Sequence, residues 1–268
     1  MITTGAAKAP ERTRDIVDAG EARIEVIAEG TGPLVVLLPS RGRDSEDYDE
    51  VAAGIAKAGY RVLRPQPRGT CRSTGPMKGL TLHDFARDVA AVIQHAGGRP
   101  AVIAGHAFGN WIARMAAADH PRLVRGVVIL AAAAKTYPKA LAEAVTRSAD
   151  ATLPDDERLK YLRATFFAPG HDASVWLEGW YPEVNASQFA AGRATRQEEW
   201  WGAGCTPLLD LQAALDPFKP RETTNELKDE FGGRVTIVVI ADASHALIPE
   251  RPAAVVEAIV AWMRKLPL

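Results

Sequence analysis

The chain has 268 residues, 47% of them hydrophobic and 24% charged, with a formal net charge of −1. This composition supports one sizeable α/β core with an insertion. The near-neutral balance gives no electrostatic reason to expect nucleic acid or an anionic membrane as partner, so a small molecule is expected instead. Two cysteines, Cys71 and Cys205, are too few for a disulfide framework, and the opening Met1 to Arg14 is polar and charged rather than a positive segment followed by an apolar run. No apolar run reaches the roughly 18 to 20 residues needed to span a bilayer. The expectation is a soluble, cytoplasmic protein; its oligomeric state is not written in these features.

Arg23 to Ala28 alternates polar and apolar residues as a half-buried strand does, and Gly30-Thr31-Gly32-Pro33 turns the chain into the continuous apolar run Leu34 to Leu38. A run apolar on both faces suits a central parallel strand. Tyr48 to Ala58 places Val51, Ala52, Ile55 and Ala56 at helical spacing, and Gly59 ends it before the strand Tyr60 to Arg64. The unit repeats: helix Leu82 to Ala96, strand Ala101 to Ala104, helix Asn110 to Asp119, strand Gly126 to Leu130. Such alternation predicts a doubly wound, mostly parallel sheet with right-handed crossovers.

The alternation stops between about Ala131 and Thr206, where Phe166, Phe167, Trp176, Trp180, Tyr181, Trp200 and Trp201 concentrate. It resumes with the strand Pro207 to Ala213, a helix near Glu222 to Asp229, the strand Val235 to Ile240 and a final helix Ala253 to Lys265. Residues 135–206 are therefore expected to form a helical cap inserted in an α/β core made of 1–134 and 207–268. Some of the cap's large aromatics build its own core, and others face a pocket, since such side chains line ligand sites. Trp176, Trp180, Trp200 and Trp201 are the candidates for substrate contact.

Strand Ala101 to Ala104 runs through Gly105-His106-Ala107-Phe108-Gly109-Asn110 into a helix, the strand, sharp turn and helix context of a nucleophile elbow. Glycines on both sides leave room for a tight turn, so that the central side chain projects alone and the next backbone N–H points into an oxyanion site. Here the central residue is Ala107 and the donor is Phe108, with His106 beside them as a candidate pocket residue. An ordinary glycine-rich turn is the plain alternative for a lone Gly-x-x-x-Gly.

With these residues in view, the chain resembles the α/β-hydrolase fold family from about Arg23 to Leu266. Besides the elbow, four stretches carry the likeness. Leu38-Pro39-Ser40-Arg41-Gly42-Arg43 sits where the family places its first oxyanion loop, with Pro-Ser in place of the common His-Gly start. Pro67-Arg68-Gly69-Thr70-Cys71-Arg72-Ser73 is similar to an Arg-Gly-x-Gly-x-Ser loop, with Cys71 at the second glycine. Asp216, in Gln212 to Pro220, stands where the family's acid follows the penultimate strand, and His245, in Ala243-Ser244-His245-Ala246-Leu247 before Pro249-Glu250-Arg251-Pro252, where its histidine lies. The resemblance implies hydrolysis of a carboxylic ester or related acyl bond, with Ser40 and Phe108 as the oxyanion pair.

Position supports the same partners. A loop leaving the carboxyl end of a parallel strand opens on the crevice where such sheets bind ligands, which favours His245 over His83, His95 and His120, expected at the surface or at helix ends. Asp216 suits an imidazole partner that fixes the tautomer, and its rival Asp242 is too near His245 in sequence to face the far ring nitrogen easily.

Ala107 offers no hydroxyl, and losing a nucleophile removes on the order of a million-fold in turnover. Three readings stand: a serine replaced by design in an esterase, lactonase or amidase; a native alanine, with the His245–Asp216 pair acting as general base for cofactor-free hydrolysis or lyase chemistry; or a binding protein that holds an apolar ligand without turnover. Ser40 and Cys71 are weak substitutes for the missing hydroxyl. Arg41, Arg43 and Arg72 are either substrate-anion contacts or solvated surface charge. His106, His171 and His245 show no metal-ligand spacing and no glycine-rich phosphate loop follows the first strand, so no cofactor and no metal are expected. The aromatic cap suggests an apolar or aromatic substrate.

Overall fold

The computed structural model describes residues 12–267; positions 1–11, the bulk of the polar opening segment, and position 268, all counted above with the α/β core, lie outside the described residues. The sheet is built from β1 (Thr13–Asp18), β2 (Arg23–Glu29), β3 (Leu34–Leu38), β4 (Arg61–Pro65), β5 (Ala101–His106), β6 (Val124–Leu130), β7 (Leu208–Ala213) and β8 (Val235–Ile240). Their spatial order is β1-β2-β4-β3-β5-β6-β7-β8, with β4 to β8 parallel throughout and the pairs β1–β2 and β2–β4 antiparallel. The chain has the expected α/β-hydrolase architecture.

The continuous apolar runs are central because both faces of the sheet are covered. In β3, Leu34, Val36 and Leu38 pack with Phe85 and Val89 of α2 (Leu82–His95) and with Ile112 and Met115 of α3 (Phe108–Asp119), whereas Val35 and Leu37 pack on the other face with Val51 and Ile55. These two belong to α1 (Asp49–Lys57), which shares that face with the carboxyl-terminal helix. One strand thus divides its side chains between two cores with the two-residue period of the pleat.

Strand β1 has no counterpart in the sequence reading. Its residues Thr-Arg-Asp-Ile-Val-Asp bury only Val17 fully, so the alternation carries little signal, and the charges suit an exposed sheet edge. Helix α3 starts at Phe108 rather than Asn110, directly after the elbow residue.

Between β6 and β7 lie α4 (Lys139–Ala149), α5 (Asp155–Thr165), α6 (Pro182–Ala194) and α7 (Gln197–Trp200), with no strand among the described residues. The helix expected near Glu222 to Asp229 is instead a 3-10 turn, Arg221–Thr223, followed by α8 (Glu226–Phe231); the hydroxyls of Thr223 and Thr224 bond back to Pro220 and Arg221 carbonyls there. The last expected helix, Ala253 to Lys265, is α10 (Pro252–Met263), and a short α9 (Leu247–Glu250) precedes it. Among the described residues no helix is long and apolar enough to cross a membrane.

Candidate active site

The turn between β5 and α3 is fixed by its neighbours. Ala107 has φ 46° and ψ −111°, a conformation that costs a residue with a Cβ on the order of 1–3 kcal/mol. Its N–H donates to Leu130 O at 3.0 Å, and its carbonyl accepts from Asn110 N at 3.2 Å and from Asn110 Nδ2. A Cβ on Gly105 would lie 2.2 Å from Gly109 O, and one on Gly109 would lie 2.4 Å from Leu38 O. Both positions therefore demand glycine, and the methyl of Ala107 is left facing a pocket with the first N–H of α3, that of Phe108, beside it.

Asp216 follows β7 and is oriented by its own turn: Phe218 N donates to Oδ1 at 2.9 Å. His245 Nδ1 donates to Asp216 Oδ2 at 2.9 Å, with both side chains buried. Nδ1 then carries the proton and Nε2 is an acceptor; Nε2 has no hydrogen-bond partner among the described residues, and the ring lines the same pocket as Ala107. Asp242 lies elsewhere, with an exposed carboxylate paired to Arg251 and near His171.

The sequence reading missed what holds this loop. Buried Glu250 accepts from Ser244 N at 2.6 Å and from Ala168 N at 2.5 Å, and Ala246 N donates to Phe166 O at 2.7 Å, so the histidine loop and the insertion are tied together. Phe218 and Phe166 pack on the imidazole with ring centroids 4.4 and 5.6 Å away. Glu250 stands in the quoted Pro-Glu-Arg-Pro stretch and Phe218 two residues after Asp216, so position alone was a signal for both.

Several candidate contacts need correction. His106 is not a pocket residue: it is buried, its Nε2 donates to the carbonyl of His245 at 2.7 Å, and its ring lies 6.0 Å from that of Trp176. Burial first, and the neighbouring His245 second, lower its pKa to about 3, so it is neutral and braces the histidine loop. Trp176 is buried among Phe166, Phe167 and Trp180 and does not line the pocket. Trp200 stacks on Trp111 at 4.9 Å, and Trp201 lies 4.6 Å from the Arg114 guanidinium; both join the sheet's core cluster rather than the pocket. Of the four tryptophans named, Trp180 alone lines it, together with Trp111, Tyr137, Phe166 and Phe218.

The pocket contains about 590 Å³ not occupied by protein atoms, part of it open to solvent. Ser40 and Arg41 form one wall. Neither the backbone N–H of Ser40 nor its hydroxyl has a hydrogen-bond partner among the described residues, and the hydroxyl makes no bond to His245. The loop is held from the insertion side: Gly42 N donates to Gln188 Oε1 at 2.7 Å, and Arg43, paired with Asp47, lies 4.7 and 4.8 Å from the rings of Trp176 and Trp180. Cys71 is exposed outside the pocket and takes φ 49°, the left-handed conformation that glycine adopts without cost. No three His, Cys, Asp or Glu side chains among the described residues are placed to share a metal ion.

The fold that carries this site is shared with known proteins. A family model described as alpha/beta hydrolase fold matches residues 33–168. Pyrrolizixenacetamide deacetylase of Xenorhabdus hominickii is 30% identical over 117 residues, which are 43% of this chain and 44% of that protein; the match spans less than half of that relative's length. Among solved structures, E-2-(acetamidomethylene)succinate hydrolase superposes with a TM-score of 0.79 at 20% identity, covering 95% of this chain and 100% of the other. An esterase of Thermogutta terrifontis, in its malate-bound form, gives 0.75 at 22% identity, with 95% and 98% covered. At such identities the likeness is one of fold.

Proposed function

Because the chain belongs to the alpha/beta hydrolase fold family and a buried histidine–aspartate pair lies beside its elbow, we propose that it hydrolyses an ester or related acyl bond of a small molecule with water, not a side chain, as nucleophile. The observation that carries this reading is the hydrogen bond from His245 Nδ1 to Asp216, which leaves the Nε2 lone pair unpartnered in a pocket also lined by the methyl of Ala107. Residues 135–206 act as the cap over that pocket, and its aromatic wall favours an apolar or aromatic acyl or leaving group. Two free cysteines suit the cytoplasm, where thiols stay reduced.

His245 Nε2 takes a proton from a water beside Ala107 as the oxygen adds to the acyl carbon. The negative charge that develops on the carbonyl oxygen is met by the N–H groups of Ser40 and Phe108. Collapse of the tetrahedral intermediate expels the leaving group, which receives the proton from Nε2, so one water is consumed and acid and leaving group are released. Asp216 holds the tautomer and stabilises the imidazolium. General-base assistance supplies about 10²–10⁴-fold and an oxyanion donor about 10²–10³-fold. Together they leave on the order of 10⁴–10⁷-fold without a covalent step. Deacetylation and hydrolysis in the relatives' names are reactions of the same class.

The test is turnover of a panel of short and medium acyl esters and amides by the wild type, His245→Gln and Asp216→Asn. Either substitution is expected to lower turnover about 10²–10⁴-fold with the fold retained by circular dichroism. Undiminished turnover in His245→Gln, or ligand binding with no turnover of any panel member by the wild type, would sink the reading; the second result marks a binding protein. Ala107→Ser supplies the missing hydroxyl and is expected to add a burst of acyl-enzyme that the wild type lacks.

A further inference from the structure

Three arginines stand on the loops around the pocket, and two of them are spoken for. Arg43 is buried, bonded to both carboxylate oxygens of Asp47 and, at 3.0 Å, to Glu178 O. Arg72 is exposed and pairs with Glu25 at 3.1 Å. Arg41 is different: half-buried on the pocket wall beside Ser40, it has neither ion pair nor hydrogen bond among the described residues. Its guanidinium lies 5.1 Å from the centroid of Phe189, a ring that the Arg193 guanidinium also approaches, at 5.9 Å. Arg193 is exposed and has no ion pair among the described residues either.

No carboxylate lines this pocket; apart from Arg41, its walls are aromatic and aliphatic side chains, one serine and His245. Burial draws the Arg41 guanidinium below its usual pKa, opposed only by the Tyr137 phenol, but it remains a cation at neutral pH. A charge withdrawn from water without a counter-charge is costly to the free protein and is relieved when an anion arrives. The planar five-donor fork matches a carboxylate, and the aromatic walls match a hydrophobic body behind it.

We propose that the substrate is a carboxylic acid as well as an acyl compound: its free carboxylate is received by Arg41, while a separate ester or related acyl group is presented to Ser40, Phe108 and His245. The word substrate rests on the hydrolase reading above; the ligand class rests on the unpaired cation and the acid-free wall alone.

The experiment measures binding to the full chain by calorimetry, using phenylacetate, 3-phenylpropionate and 4-phenylbutyrate, each beside its primary amide. At least one acid is expected to bind about tenfold or more tightly than its amide, the difference that charge-assisted hydrogen bonds supply. Arg41→Gln is expected to abolish the preference, and Arg41→Lys, which keeps the charge but not the fork, to retain part of it and to guard against a loss that is only misfolding. If no acid is preferred to its amide, or the preference survives in Arg41→Gln, the proposal is overturned. His245→Gln separates the two claims, since it is expected to lose turnover and keep the preference. An acid preference without turnover of any ester leaves Arg41's role standing and removes the hydrolase; turnover of neutral esters without an acid preference does the reverse.

Discussion

The elbow and the insertion above it are held by different kinds of contact. At the elbow, backbone meets backbone: Gly109 approaches Leu38 and Pro39 so closely that their carbonyls would stand 2.4 and 2.6 Å from a Cβ there. In the insertion, rings meet rings: Trp176 packs among Phe166, Phe167 and Trp180 at centroid distances of 5.3, 5.4 and 6.2 Å. Backbone contacts admit one residue type at a position and so leave a mark in the sequence. Ring contacts admit many arrangements, because side chains of similar size repack.

Glycine replacements in the two regions break the comparison most directly. Gly109→Ala puts a Cβ against carbonyls that cannot move without displacing the loop that carries Ser40, so it is expected to cost more than about 3 kcal/mol, beyond the ordinary range for overpacking. Gly192→Ala, in α6, meets the edge of the Trp111 ring at 2.9 Å, a side chain that can shift, and the better helix propensity of alanine offsets the strain. Its expected change is within about 1 kcal/mol. Urea midpoints with unchanged m-values measure both. Equal losses would mean that the insertion is as tightly determined as the elbow.

This difference explains what was legible in advance. The continuous run in β3 announces a buried strand, and Gly105-His106-Ala107-Phe108-Gly109 announces a turn that only glycines permit. The loops bearing Asp216 and His245 follow from their place after strands. β1 stayed hidden because an edge strand with a single fully buried residue has no clear alternation. The tryptophans misled for a related reason: composition marks a ring as buried but not what buries it, and Trp200 and Trp201 lie against Trp111 and Arg114 of α3. Nor does a sequence show that Arg43 has an acid and Arg41 has none, since the acid, Asp47, is one of several nearby.

His106 tests whether the backbone-held region also carries the pH sensitivity. Its pKa of about 3 lies well below the 6.5 of the unfolded chain, so between these values the unfolded state binds the extra proton. The stability that neutral His106 contributes is complete above pH 6.5 and is lost as pH falls toward 3. His106→Gln keeps a donor for the His245 carbonyl and has nothing to protonate. Between pH 6 and 4 the wild type is expected to lose on the order of 1 kcal/mol per pH unit more than this variant in denaturation experiments. Parallel curves would show that the imidazole is not buried as described.

The smallest effect expected belongs to Trp201, at the end of α7. Its Nε1 donates to Glu230 Oε2 at 2.9 Å, its ring lies 4.6 Å from the Arg114 guanidinium, and it does not line the pocket. Trp201→Phe keeps an aromatic face for the guanidinium and removes one hydrogen bond to a half-exposed carboxylate, which predicts a loss of about 1 kcal/mol. Because Arg114 is fully buried with two of its guanidinium nitrogens unpartnered, the remaining face matters more than the lost bond. The midpoint of unfolding is therefore expected to fall slightly while KM for any panel ester stays unchanged. A raised KM at unchanged stability would put Trp201 back among the substrate contacts and extend the pocket beneath α7.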